Sequence, residues 1–372
     1  MNVTTMRSSD RLLAATGSPY ERGVAQGRAF RHAIAGHSEA LLSVWRKQGI
    51  DDPIEHRARL LRETRFEEAI ERHTPHLLRE VEGIAAGSGL SRAEVYALQL
   101  LDEEWAFRRR LKDGPGLQKC SAFAVRNDAA GVTWIGQNMD LGAYTDGLQR
   151  LVQHASCDGR PGAVIVTIAG MLGLLGVNDA GVGVCVNSIP QVPSAAEGVP
   201  VAFVVRHLLE ARSAAEASDR CRRLPHASNQ HYLIADASLI VSLEASSEEV
   251  VELPLPAPDR ALHTNHPLAR GARYPEGEEN SVARLRSLDR RLGHGSPVLA
   301  DLQGALASCD DERHPVCRLR TDELGPTSFT TASMISALHG KAAPVEGWVS
   351  FGPPSQGDFR AFTLNVGGAA TS

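Results

Sequence analysis

The chain has no cysteine pair at metal-binding spacing, no apolar run long enough to cross a bilayer, no internal repeat, no low-complexity tract and no excess of positive charge. Each absence removes a class of function. The six cysteines, Cys120, Cys157, Cys185, Cys221, Cys309 and Cys317, form no C-x-x-C pair and match no zinc template. No stretch approaches the ~18 apolar residues of a membrane helix. A net charge of −5 at pH 7 and a pI near 6.3 leave no basic footprint for nucleic acid. The opening stretch, MNVTTMRSSDRLLAATGSPYERG, has no continuous apolar segment of the kind a signal peptide carries. The expectation is therefore a cytoplasmic protein whose cysteines are reduced and mostly serve as small core hydrophobes. GVGVCVNSIPQVPSAAEGVP contains glycines but not the spacing of a dinucleotide or phosphate loop. GSGLS precedes a helix without the spacing of a nucleophile elbow. His263 and His266 make an H-x-x-H, but on a strand-and-turn stretch rather than a helix. Neither a cofactor nor a metal is expected.

What remains is ample material for a core. The chain has 372 residues, 42% of them hydrophobic, enough for one large domain or two ordinary ones. The first third reads helical: IEHRARLLRETRFEEAIERHTPHLLREVEGIAAGSGL mixes charged and apolar residues at three- and four-residue spacing. Pro75 should open a helix and Gly87/Gly89 close it; Ser91 with Glu94 spells a capping box for the next. RRRLKDGPGLQK, residues 108–119, reads as an exposed loop. After Lys119 the pattern turns to strands. SAFAVR and VTWIGQNM flank the turn NDAAG, a hairpin signal. AVIVTIAG, AGVGVCVNSI, HYLIAD, LIVSLEAS, EVVELPL, WVSFGPP and RAFTLNV read as further strands. PVAFVVRHLLEARSAAEASDRCRRL, SVARLRSLDRRL and VLADLQGALAS return to helix. This order favours a layered α+β fold with antiparallel sheets.

Cys120 stands at the first residue of a strand, directly after the loop. A buried core thiol would account for it. So would a different chemistry: if the chain were cut between Lys119 and Cys120, one residue would carry both a thiol and an α-amine. The amine, with a pKa of about 7.7–8.0, is placed to act as a base near neutrality, and the thiol is a competent nucleophile. The same thiol could make the cut by an N→S acyl shift. The end of the second hairpin strand, GQNMDLG, should bring Asp140 back beside Cys120, where a carboxylate could hold the ammonium or the thiol in place.

At these residues the sequence resembles the autoproteolytic acyltransferase/hydrolase family of isopenicillin N acyltransferase, relatives of the bile-salt hydrolases and penicillin V acylases. GSPYERGVAQG resembles the family's glycine-flanked entry segment and PHLLREVEGIAAGSGLSRAEVYALQLLDEE its helical region before the cysteine. CSAFAV with GQNMD resembles the nucleophile hairpin, and GVGVCVNSI, HYLIAD, HTNHPL, SVARL and HPVCR follow in the family's order. The resemblance implies a four-layer αββα sandwich of the N-terminal-nucleophile hydrolase type. It implies Cys120 as the mature N-terminal nucleophile, Asp140 as the catalytic aspartate, Asn187 and Asn265 as oxyanion donors and Arg284 as an active-site arginine. Two departures stand out: Gln137 occupies the place of an arginine in the bile-salt hydrolase relatives, and the scissile step is Lys119–Cys120 where the fungal enzyme has Gly–Cys. Acyl transfer builds negative charge on the carbonyl oxygen, and a neutral amide donor aimed there contributes on the order of 3 kcal/mol. A strand-end asparagine can also simply bond its own backbone, and Arg284 could be a surface residue of an arginine-rich helix. Tyr144 and Trp134, near the hairpin, are candidates for a pocket wall or for the core.

The expectation is thus a precursor with one composite domain, an N-terminal segment 1–119 and a nucleophile-bearing segment 120–372 that stay associated after cleavage. It would act on small-molecule amides or acyl donors, an acyl-coenzyme A thioester among them, and on neither nucleic acid nor membranes. Two alternatives are an uncleaved, non-catalytic ligand-binding protein of the same fold and a thiol hydrolase pairing Cys120 with a distant histidine, His263 or His314.

Overall fold

The computed structural model describes residues 11–110, 120–257, 259–269, 278–320, 328–340 and 343–365. Two sheets dominate it. The eight-stranded sheet runs, edge to edge, β1 (Leu12–Ala15), β4 (Gln149–His154), β5 (Ala163–Ile168), β6 (Leu175–Asn178), β7 (Gly183–Ser188), β8 (Gln230–Ala235), β9 (Ile240–Ala245) and β10 (Val250–Glu252). The six-stranded sheet runs β11 (Arg260–His263), β2 (Ser121–Asn127), β3 (Val132–Gly142), β12 (Ser328–Leu338), β13 (Val345–Phe351) and β14 (Arg360–Leu364). Every strand pair is antiparallel except β1 with β4.

Side-chain alternation along β2 and β3 sorts the layers. Ala122, Ala124, Ile135 and Met139 belong to the main core, and Ile135 presses on Gly183 of the facing sheet so closely that a Cβ there would stand 2.6 Å from its methyl carbon. The opposite face presents Phe123 and Val125, which with Leu262 and Ile335 pack on Leu285, Leu288, Leu292, Leu302 and Leu306. Those leucines come from α10 (Glu279–Leu292) and α11 (Leu299–Leu306). On the far side of the eight-stranded sheet lie α8 (Val201–Leu208), α9 (Ala214–Arg223) and the N-terminal helices, tied in through Gln26 Nε2 to Met171 O at 3.0 Å and His37 Nδ1 to Ala169 O at 2.8 Å. The result is the four-layer αββα sandwich that the resemblance implies.

The N-terminal helices are α1 (Pro19–Ala29), α2 (Arg31–Lys47), α3 (Pro53–Glu63), α4 (Phe66–His73), α5 (Pro75–Ser88), α6 (Arg92–Leu98) and α7 (Leu101–Arg110). Pro75 opens α5, Gly89 in the left-handed conformation closes it, and Ser91 with Glu94 caps α6, all as the sequence predicts. Helices α1 and α5 meet through glycines: a Cβ on Gly23 would lie 2.1 Å from Glu80 O, and one on Gly83 2.1 Å from Tyr20 O.

Four strands escape the sequence reading: β1, β4, β6 and β12. The last lies in the middle of its sheet, between β3 and β13. Its sequence, SFTTASMISAL, is buried throughout, and its hydroxyls hide the apolar pattern. One of them, Ser333 Oγ, donates to Asn138 Oδ1 on β3 at 2.6 Å. The sequence-predicted loop at 108–119 falls largely outside the described residues; its first residues, Arg108 to Arg110, continue α7 instead.

Candidate active site

The hairpin forms as expected. Ser121 pairs with Asn138, so Cys120 lies one step beyond the ladder, with its Sγ 4.0 Å from the backbone oxygen of Asp140. Both residues are buried. Asp140 sits inside β3, paired to Thr330. Burial pushes the Cys120 thiol up to about 12, and the Asp140 carboxylate adds to that shift. The thiol is therefore protonated at neutral pH. Lys119, the expected partner at the scissile bond, lies outside the described residues.

Arg284 is no surface residue. Its side chain, on α10, is fully buried and organises the site. Nη1 donates to the Cys120 carbonyl oxygen at 2.5 Å and to Ser121 Oγ at 2.9 Å; Nη2 donates to Asn265 Oδ1 at 2.9 Å and Nε to Asn280 Oδ1 at 3.0 Å. Burial lowers the guanidinium to about 10, with Asp140 and Cys120 pulling the other way. Asn265 follows β11, and its amide is held on two sides. Oδ1 accepts from Arg284, and Nδ2 donates to Ser188 O at 2.8 Å, which leaves one N–H of that amide for another acceptor. Its backbone N–H donates to Ser281 Oγ at 2.7 Å.

Asn187 lies within β7, fully buried. Its Oδ1 meets His231 Nδ1 at 3.2 Å, and among the described residues its Nδ2 donates to nothing. An unpaired buried amide donor is costly, and a catalytic role is one explanation for such an exception. Ser188, next on the strand, carries the carbonyl that holds Asn265, so the two asparagines converge on one strand end.

Gln137 has a supporting position. Its Nε2 donates to Val186 O at 2.6 Å, and Val186 N donates to its Oε1 at 2.8 Å. Pairing of β6 to β7 stops at Val184. Two residues on, the Gln137 amide takes the place of the missing strand and pins β7 to β3, next to Asn187. Tyr144 stacks on His37, with centroids 6.1 Å apart, and packs against the main core. Trp134 pairs with Val125 at the far end of the hairpin and lies against Trp348 at 5.9 Å, away from the thiol.

The histidine alternatives find no geometry. His263 is engaged by Glu244 and Thr264, His266 by Ser281 and His314 by Asn280. A cysteine–histidine contact among the described residues, Cys221 Sγ to His226 Nε2 at 3.9 Å, is elsewhere in the core. There burial raises the thiol to about 12 and lowers the imidazole to about 4, the opposite of an activated pair. Among the described residues no group of three or more His, Cys, Asp or Glu side chains could hold a metal ion. Among them, too, no helix is long and apolar enough to cross a membrane.

The sequence profile of the family described as acyl-coenzyme A:6-aminopenicillanic acid acyl-transferase matches residues 126–341, more than half of the chain. The chain belongs to that family. The match takes in Gln137, Asp140, Asn187, Asn265 and Arg284 and begins after Cys120. Family membership places the chain among acyl-transferring proteins. A relative, the acyl-coenzyme A:6-aminopenicillanic-acid-acyltransferase 40 kDa form of Emericella nidulans, is 26% identical over 292 residues, 77% of this chain and 78% of the relative. Among solved structures, a variant of conjugated bile acid hydrolase from Clostridium perfringens aligns with a TM-score of 0.44 and 13% identity, over 68% of this chain and 99% of that one. Penicillin V acylase from Agrobacterium tumefaciens aligns with a TM-score of 0.38 and 14% identity, over 62% and 83%.

Sequence reading missed His231, Ser281 and Asn280. His231 lies in the motif HYLIAD, but nothing in a strand motif announces that its ring meets Asn187 two strand residues past Cys185. Asn280 and Ser281 precede Arg284 on the same helix turn, and that spacing was a usable signal.

Proposed function

We propose that this chain is a self-processing acyltransferase/amidohydrolase in which Cys120, freed as a new N-terminus, is the nucleophile. Cleavage at Lys119–Cys120 divides the chain into segments 1–119 and 120–372, which remain one composite domain. The observation that carries this reading is the fully buried Arg284, which joins the Cys120 carbonyl, Ser121 and Asn265 in one hydrogen-bonded unit. Such a guanidinium fixes the start of β2 against the asparagine wall, as an N-terminal nucleophile requires.

The rest follows from the chemistry of the groups. A buried thiol near 12 needs a base, and no histidine is hydrogen-bonded to it among the described residues. A freed α-amine on the same residue supplies one. The amine takes the thiol proton as sulfur bonds to the carbonyl carbon of an amide or thioester. The spare N–H of Asn265 and the unpartnered Nδ2 of Asn187 receive the oxyanion. Asp140 holds the ammonium. Collapse expels the amine or thiol with that proton and leaves an acyl-cysteine, which passes to water or to an amine acceptor. The substrates are small-molecule amides or acyl donors, and the name of the Emericella relative makes an acyl-coenzyme A thioester the first donor to try. The protein acts in the cytoplasm and needs no cofactor.

Intact mass of the purified protein and of Cys120→Ala under denaturing conditions tests the reading. Two fragments split before Cys120 from the wild type, and one full-length chain from the variant, are expected. A wild type that stays whole and turns over no amide or thioester overturns it in favour of an uncleaved ligand-binding protein.

A further inference from the structure

The Asn187 partner His231 is half of a ring pair that the catalytic reading does not use. His231, on β8, and His263, at the end of β11, stack face to face with centroids 3.5 Å apart and planes 6° off parallel. Both are buried. The polar neighbours of the pair come from β7, β9 and the turn after β11, and Glu244 is the charged one among them. Asn187 on β7 meets His231 Nδ1, and Ser242 Oγ on β9 meets His231 Nε2 at 2.8 Å. Glu244, also on β9, meets His263 Nε2 at 3.1 Å, while His263 Nδ1 faces Thr264 O at 2.7 Å.

Glu244 does more than hold a ring. It also accepts the backbone N–H groups of Leu268 at 2.6 Å and Ala269 at 3.1 Å. One carboxylate thus grips both ends of the turn that carries Asn265. Through the stack, the same carboxylate bears on the ring that holds Asn187.

The geometry points to the stacked His231–His263 pair, anchored by Glu244, as the device that orients Asn187 and Asn265 together. The inference rests on the oxyanion role proposed above. Its core is a tautomer. With the proton on His231 Nδ1, the ring donates to Asn187 Oδ1 and accepts from the Ser242 hydroxyl, and Nδ2 of Asn187 is left facing away from the ring. With the proton on Nε2, Nδ1 becomes an acceptor, the Asn187 amide turns over to donate to it, and the oxyanion loses that donor. Burial and the neighbouring imidazole hold His231 well below the usual histidine range, which favours a neutral ring. His231 and His263 touch no reacting atom; they are positioning residues.

The first readout is the imidazole nitrogen spectrum of ¹⁵N-histidine-labelled full-length protein at neutral pH, with His231→Asn for assignment. A neutral His231 protonated on Nδ1 is expected; an Nε2-protonated or charged ring overturns the inference. This holds whether or not the protein turns over substrate, so failure of the catalytic reading is seen separately, in the mass experiment. The second readout uses p-nitroanilides of short carboxylic acids as probes. His231→Phe should lower kcat about 10- to 100-fold, less than outright loss of an oxyanion donor, with KM unchanged. His231→Asn, whose amide N–H can replace Nδ1–H, should restore most of it. Alkylation of Cys120 by iodoacetamide, which forms no oxyanion, should proceed at the wild-type rate in all three proteins. Parallel loss of alkylation and turnover, or an unchanged kcat in His231→Phe, overturns the inference.

Discussion

Arg206 and Arg284 are both buried, and they are buried differently. Arg206, in α8, is neutralised: Nη1 and Nη2 meet the two Glu80 oxygens at 2.7 and 3.1 Å, with Arg22 at 3.5 Å and His154 at 3.7 Å adding to the cluster. Burial would push the Glu80 carboxyl up, but Arg206, His154 and Arg22 outweigh it and hold the group at about 2. Arg284, equally inaccessible, spends its four hydrogen bonds on neutral oxygens. The first arrangement fixes the helical layer to the eight-stranded sheet. The second keeps a positive charge next to a thiol and a carboxylate. The lesson is that burial of a cation alone does not mark a working site; what its donors meet does.

That contrast can be broken by matched substitutions. Arg206→Met strands a buried carboxylate and should cost about 3–5 kcal/mol of stability, read by urea denaturation, with turnover following only the folded fraction. Arg284→Met leaves neutral acceptors unpaired and should cost less, about 1–3 kcal/mol, while lowering turnover of the folded protein about 100-fold or more. Equal stability losses with equal activity losses would erase the distinction. Asn265→Ala sharpens it on the neutral side of Arg284, with an expected drop in kcat of about 10²-fold and little change in stability.

Two of the buried carboxyls are separated by pH. Glu80 has a folded value below its unfolded one, so its contribution is present above about pH 4.3 and is lost as pH falls toward about 2. Glu103, on α7, is pushed up to about 7 by burial and by Asp102, and it accepts from Val201 N and Ser228 Oγ on one oxygen only. Its unfolded form loses the proton first, so stability falls between about pH 4.3 and 7, by up to about 3 kcal/mol. Glu103→Gln should flatten that part of the stability profile and leave the acid limb of Glu80 in place; a wild-type profile already flat from pH 5 to 7 would count against the assignment.

Much of this arrangement was legible in the sequence because it is local. The caps at Ser91 and Gly89, the hairpin turn with Gly131 at positive φ, and the return of Asp140 to Cys120 all follow from spacing within one or two elements. Central strand β12 was not legible, because its hydroxyls break the apolar pattern and the Asn138 partner of Ser333 lies on another strand, where spacing does not reveal it. Nor was the burial of Arg284, since an arginine-rich helix looks the same whichever residue points inward, nor the His231–His263 stack, which joins β8 to the end of β11 across different sheets.

The glycine contact between α1 and α5 constrains how this sequence can drift. Gly23, Gly27, Gly83 and Gly87 each sit where a single methyl group would meet backbone atoms of the other helix within 2.1–2.4 Å. Inserting one residue between Gly23 and Gly27 would swing the second glycine about 100° around its helix. Inheritance can rewrite most of the exposed charge on these helices, but the four-residue interval is copied or the helices part.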